Sequence, residues 1–266
     1  MIDSTAPRGH TRRAVLGSLA AAAVAGPVLL TRGSAHAGTT AATPTKLVWS
    51  PDPRREGLSA FEGVEDDRSQ SHPGTRHIYV QGDAYRFDMH TRDRDGDDRQ
   101  RNEVKGMRAD GRILSLGNGE TWRITYDLFI PNTLRGTRTF THIFQLKRPG
   151  NGSAPLATIG LRRDDDAEYL TWRPFASGGE LGNVPLEQIW NRWATIDMTF
   201  TVGDEGSARF ICREGGRTLA DATRDGIDLW LGDRLRPKWG IYRSLGDPGQ
   251  LHNTYLLQRN LRAYTT

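Results

Sequence analysis

Lys238 and Tyr242 lie four residues apart in the run Pro237-Lys238-Trp239-Gly240-Ile241-Tyr242-Arg243. In a strand that even spacing puts ammonium and phenol on one face, with Trp239 and Ile241 on the other. The Trp/Ile face suits a core, which turns Lys238 and Tyr242 toward solvent. A cation beside a phenol favours phenolate and lowers a pKa that is ordinarily about 10, so the pair is suited to proton transfer. Gly240, between them, leaves space for something to lie against the backbone.

Two further segments read the same way. In Arg99-Gln100-Arg101-Asn102-Glu103-Val104-Lys105, a core-facing Val104 sets Arg101, Glu103 and Lys105 on the opposite face. In Phe140-Thr141-His142-Ile143-Phe144-Gln145-Leu146-Lys147, an apolar set of Phe140, Phe144 and Leu146 sets Gln145 and Lys147 on the polar face. Three strands that each show cations or amides over a buried back would make a groove for an acidic polymer.

These motifs resemble those of the concanavalin-like jelly-roll polysaccharide lyases, the alginate, glucuronan and heparin lyase group. Arg101-Asn102-Glu103-Val104-Lys105 is similar to their Arg-x-Glu-x-basic strand, and Gln145-Leu146-Lys147 stands where they have Gln-x-His. Lys238-x-Gly240-x-Tyr242 is similar to their C-terminal Lys-x-Gly-x-Tyr strand, and the order of the three agrees.

The resemblance implies β-elimination at a uronate. The substrate carboxylate must be neutralised, a base must take the C5 proton, and an acid must protonate the departing O4. It implies Arg101 and Gln145 as carboxylate ligands and Tyr242 as acid, or as acid and base in a syn elimination. Lys238 would tune the phenol or bind sugar carboxylate, with Glu103 and Lys105 on the same substrate-binding face. The chain departs from the pattern at Lys147, which replaces the histidine base. A lysine serves there only if burial or neighbouring cations depress its pKa from about 10.4. His142 is the alternative base, although simple alternation puts it on the Phe140/Phe144 side unless a bulge re-aims it.

Each residue also has an ordinary structural reading. Arg101 and Glu103 could be a surface ion pair, Lys147 and Lys238 edge-strand lysines that discourage aggregation, Tyr242 a packing residue and His142 a core histidine. Asp93-Arg94-Asp95-Gly96-Asp97-Asp98 has part of a calcium-loop pattern. It lacks the downstream glutamate, so it reads as a solvated hairpin tip, and Asp164-Asp165-Asp166 reads as a turn. No metal ligand set or cofactor is expected, and nothing supports a structural calcium.

The elements that must position these residues are short alternating segments punctuated by Gly, Pro, Asn and Asp. They predict an all-β antiparallel sandwich of jelly-roll type with a concave groove, over 47–266 as one domain. Strands are expected at 85–90, 122–128, 138–147, 156–162, 168–173, 193–202, 207–213, 236–244 and 254–263, with one short helix at 185–190. Residues 38–46 read as a flexible leader. Before them, Thr11-Arg12-Arg13 heads an apolar run to Leu30, and Ala35-His36-Ala37 offers a cleavage site. Residues 1–37 therefore read as a twin-arginine signal peptide, and the protein as secreted.

The formal charge of +4 comes mostly from that segment. Without its four arginines and one acid, 32 basic and 31 acidic side chains remain over 229 residues. Such a balance argues against a nucleic-acid partner, and no membrane partner is expected after cleavage. Cys212 is the only cysteine, so no intramolecular disulfide and no Cys-based zinc site can form. The expected partner is an acidic polysaccharide and the expected state a monomer. Two other functions fit a groove on this fold: a non-catalytic carbohydrate-binding module, which needs no titrating Tyr/Lys pair, and a glycoside hydrolase. The latter needs two flanking carboxylates, and no Glu-x-Asp-x-x-Glu strand is present.

Overall fold

The alternating segments pair into two antiparallel sheets whose apolar faces meet. A computed structural model describes residues 43–150, 152 and 154–266, so the expected signal peptide and the first residues of the leader lie outside the described residues. The strands are β1 (Lys46–Trp49), β2 (Gly63–Glu65), β3 (Ile78–Gln81), β4 (Ala84–Met89), β5 (Arg99–Lys105) and β6 (Met107–Ala109). Next come β7 (Arg112–Leu114), β8 (Thr121–Phe129), β9 (Thr141–Lys147), β10 (Ala157–Asp164), β11 (Ala167–Pro174) and β12 (Leu181–Pro185). The last five are β13 (Trp193–Thr201), β14 (Gly206–Glu214), β15 (Arg217–Ile227), β16 (Arg236–Ser244) and β17 (Thr254–Thr265).

One sheet has eight strands, in the order β15-β14-β13-β8-β17-β4-β3 with β1 also paired to β17. The other has seven, in the order β12-β11-β10-β9-β16-β5-β2, and β6 and β7 form a separate ribbon. Side-chain period fixes which face is inside. Along β8, Trp122, Ile124, Tyr126 and Leu128 are buried while their neighbours are half-exposed. Between the sheets, Trp239 of β16 stacks on Trp49 at 5.4 Å and meets Phe144 edge-on at 5.7 Å. Deleting such a ring costs about 3–5 kcal/mol.

The expected strands form, with ends shifted by a few residues. The expected helix at 185–190 does not. Only a 3₁₀ turn, Leu186–Gln188, follows β12, because Asn191 takes a positive φ of 58° and β13 begins two residues later. The leader is also shorter than expected, since Lys46 already pairs with Thr265. The short strands β1, β2, β3, β6, β7 and β12 and the long β15 are not among those expected; β15 is a mostly polar edge strand that packs only Leu219, Ala220, Ala222 and its last residue, Ile227, on the core and pairs with β14 across Gly215-Gly216, both at positive φ.

Candidate active site

The three motif strands are neighbours on the seven-stranded sheet. β16 lies between β5 and β9, with Tyr242 opposite Arg101 and His142, Lys238 opposite Lys105 and Gln145, and Arg236 opposite Lys147. Cross-strand partners share a face, so these side chains stand together on the side away from the core. There all of them but His142 line a cleft of about 590 Å³, with the loop residues Ala154 and Pro155 at its wall. Its cations are Arg68, Arg99, Arg101, Lys105, Lys147, Arg236 and Lys238, against one lining acid, Glu65.

The floor is an ion network. Lys238 Nζ donates to Glu65 Oε2 and Glu103 Oε2, both at 2.6 Å. Arg101 donates through Nη1 to Glu103 at 2.7 Å and through Nε to Asp95 at 2.8 Å. Gln145 Nε2 reaches Glu103 Oε1 at 2.5 Å, and Lys105 Nζ reaches Glu65 at 3.2 Å. Glu103 and Lys238 are 0% and 2% exposed. Burial alone would raise the Glu65 carboxyl pKa, but Lys238 and then Arg101 and Lys105 outweigh it and hold the group at about 2.

Tyr242 stands at the edge of this floor. Its hydroxyl accepts from Arg99 Nη1 at 2.9 Å, and the Arg101 guanidinium lies over its ring at 3.8 Å. Phe140 packs on the ring at 4.9 Å. Lys147 lines the same cleft, half-buried. Its pKa is lowered first by burial and then by Lys238, Arg101 and Arg236, with Glu103 opposing.

His142 stands on the Tyr242 side, not on the Phe144 side that alternation assigned to it. β9 carries a bulge at Ile143 against β10, where Phe144 and His142 face the adjacent residues Ile159 and Gly160, while β16 sets two residues, Gly240 and Ile241, opposite Ile143 between the partners Trp239 and Tyr242. Ile143 and Phe144 both go into the core, and His142 and Phe140 are turned outward. Phe140 therefore leaves the apolar set in which simple alternation placed it. His142 sits in an adjoining hollow of about 150 Å³ with Thr158, Gly160, Arg162 and Arg173. Burial, then Arg162, Arg101 and Arg173, push its pKa down to about 3, and its buried Nδ1 has no hydrogen-bond partner.

Three other expectations need correction. Lys238 is not turned to solvent; it lies under the cleft, and the cations at Tyr242 are Arg99 and Arg101. Gly240 does not make room for a ligand. At φ 128° its missing Cβ would overlap Asn102 O and lie 2.9 Å from Phe87, so the space belongs to backbone and core. The acidic run 93–98 is not wholly a solvated tip, because Asp93 is buried and Asp95 holds Arg68 and Arg101. Glu65 and Arg68 also line the cleft, and no motif in the sequence marks them. Glu65 ends a three-residue strand too short to show a period, and only its place opposite Glu103 reveals it.

No protein-family model and no curated sequence matches the chain. Solved structures do. A marine alginate lyase from Aplysia kurodai superposes with a TM-score of 0.51 at 16% identity, over 85% of this chain and 100% of that one. An endo-β-1,4-glucuronan lyase from Trichoderma reesei gives 0.51 at 14% identity, over 79% and 92%. An alginate lyase from Pseudomonas aeruginosa gives 0.50 at 15%, over 79% and 99%. The chain thus carries the jelly-roll sandwich fold of these polysaccharide lyases.

Proposed function

We propose that the protein is an exported polysaccharide lyase that cleaves a uronate-containing acidic polysaccharide by β-elimination. One observation carries this reading: Tyr242, Lys147, Gln145 and Arg101, from three strands, line one cation-rich cleft. The solved neighbours act on alginate and on glucuronan, by their names, and export rests on Arg12-Arg13 and the apolar run behind them.

The chemistry follows from the placement. A uronate carboxylate is drawn to the cleft and neutralised beside Arg101 and Gln145, which makes the C5 proton acidic enough to remove. Lys147, with its pKa lowered, is the base that takes it. The C5–H electrons form the C4=C5 double bond, the C4–O4 bond breaks, and Tyr242 gives its hydroxyl proton to O4. Arg99, already bonded to the phenol oxygen, stabilises the phenolate left behind. His142 is less suited to be the base: it lies in the adjoining hollow, with Nδ1 at 3.5 Å from the position of a Cβ on Gly160. Glu65 and Glu103 are unsuited to a hydrolase pair, since a general acid needs a raised pKa and Glu65 is held at about 2.

The test is incubation with alginate, glucuronan, heparin and pectate while following the ultraviolet absorbance of the unsaturated uronate product. Growth of that signal, abolished in Tyr242→Phe, is the expected result. Binding without product on all four identifies a carbohydrate-binding module, and reducing ends without absorbance identify a hydrolase; either overturns the lyase.

A further inference from the structure

Away from the cleft floor, three of the chain's seven histidines converge on one buried carboxylate. His72 Nδ1 lies 3.0 Å from Asp93 Oδ1, His77 Nε2 lies 3.3 Å from Asp93 Oδ2, and His90 Nδ1 lies 3.2 Å from the same oxygen. The four ligand atoms are all within 4.8 Å of one another, and the three rings stand edge-to-face at 4.8–5.4 Å. A tetrahedron with bonds of about 2.0–2.1 Å to nitrogen and oxygen has edges of about 3.3–3.4 Å, close to the contacts seen here.

His77 separates a metal site from a plain hydrogen-bonded cluster. Its ring is 0% exposed, and its Nδ1 is 2.8 Å from Asp66 Oδ1, the usual outer partner of a metal-bound imidazole. With Nδ1 facing Asp66, Nε2 is the ring atom left to face the cluster, 3.3 Å from Asp93 Oδ2. That Nε2 is buried and has no hydrogen-bond partner. A buried ring nitrogen without a partner is costly, and a cation held by both Nε2 and the Asp93 carboxylate would satisfy it.

We propose that His72, His77, His90 and Asp93 form a four-coordinate site for a divalent transition metal, zinc above all, that knots two loops beside the cleft. Three imidazoles and one carboxylate suit zinc, whereas calcium calls for six to eight oxygens. Asp93 and the Asp66 behind His77 together offset the double positive charge. All four positions are protein ligands, which is the pattern of a structural site. The knot joins the segment 66–77, which carries the cleft residue Arg68, to the segment 90–95, whose Asp95 holds the cleft residues Arg68 and Arg101. Arg68 lies two residues past Asp66, and Asp95 lies two past Asp93 and holds Arg101 Nε at 2.8 Å. The metal would thus fix the loop that braces Arg101.

The experiment reads metal and is independent of the lyase proposal. Full-length protein purified without chelators is analysed by inductively coupled plasma mass spectrometry and then titrated with zinc, cobalt and calcium after chelation. Expected are about one zinc per chain, visible bands of four-coordinate cobalt, and a melting temperature that falls on chelation and returns with zinc but not calcium. His77→Ala should abolish stoichiometric binding, and Asp66→Asn, which touches only the outer partner, should weaken zinc about 10–100-fold. A wild-type protein that binds no stoichiometric zinc and melts unchanged in its presence overturns the proposal. So does zinc binding that is undiminished in His77→Ala, which would place the ion elsewhere.

Discussion

The outer faces of the two sheets use the same charged residues to opposite ends. On the eight-stranded sheet, Arg209 forks onto Asp221 at 2.8 and 2.7 Å, and Arg123 onto Asp197 at 2.9 and 2.8 Å. Each of these two cations has a carboxylate on the neighbouring strand and is partly exposed. On the seven-stranded sheet, Glu65 and Glu103 lie beneath the cations and are shared by Lys238, Arg101 and Lys105, and the surface above them is cationic. Charge pairing on a wet face contributes little to stability. Acids sunk under a cationic lining hold guanidinium and ammonium groups in place and leave an electropositive cleft.

The largest effect expected from this contrast is catalytic. Tyr242→Phe removes one hydroxyl and should lower kcat by about 10³-fold or more, with the melting temperature changed by no more than a few degrees. Steady-state kinetics on the best of the four polymers reads it. An unfolded Tyr242→Phe would make the residue structural and erase the difference between the faces.

Next comes the floor. Glu103→Ala leaves Lys238 and Arg101 buried with part of their charge uncompensated and should cost about 3–5 kcal/mol in denaturant unfolding. Gly240→Ala should cost about 3 kcal/mol, because its Cβ meets Asn102 O and its φ suits glycine alone. Free tolerance of either change would mean that the floor is not the scaffold described.

How much of this was legible in the sequence depended on where period-2 reasoning holds. β8 and β13 alternate, so their core faces could be read from spacing, and even spacing within β5, β9 and β16 likewise put Arg101 with Lys105, Gln145 with Lys147 and Lys238 with Tyr242. The depth of Lys238 could not be read, because alternation separates two faces but does not say whether the polar one is wet or capped by acids. Glu65 was hidden by a strand of three residues, and His142 by a one-residue bulge at Ile143, which reverses facing at a stroke. The His72/His77/His90/Asp93 cluster is built by loops, which carry no period. Three histidines within nineteen residues were the one available signal.

A smaller effect follows acidity. His142 is held neutral in the fold, with a pKa near 3 against an ordinary 6.5, so the unfolded chain binds the extra proton first as pH falls. Glu65, at about 2 against 4.5, does the same lower down. Stability should therefore be full above about pH 6.5 and decline toward pH 3 through His142, with Glu65 adding to the loss between pH 4.5 and 2. Thermal melts across that range check it, and His142→Gln should flatten the slope between pH 6.5 and 3. Activity moves the same way with pH but through a different group, since Lys147 must lose its proton to act. The rate should rise with pH to a plateau reached below the ordinary lysine range, because burial and then Lys238 lower that pKa.

The smallest effect is the control on the other sheet. Asp221 is drawn down and Arg209 drawn up by their mutual hydrogen bonds, yet the two side chains are 39% and 50% exposed. Water screens most of what those shifts imply. A double-mutant cycle with Arg209→Ala and Asp221→Ala should give a coupling of about 0.2–1 kcal/mol that fades in molar salt, with polymer turnover untouched. The matching cycle on Arg101 and Glu103 should give a larger coupling that salt moves less, because those side chains are only 12% and 0% exposed. Equal couplings with equal salt dependence would show that burial does not distinguish the two faces, and the account of the cleft floor would fail there first.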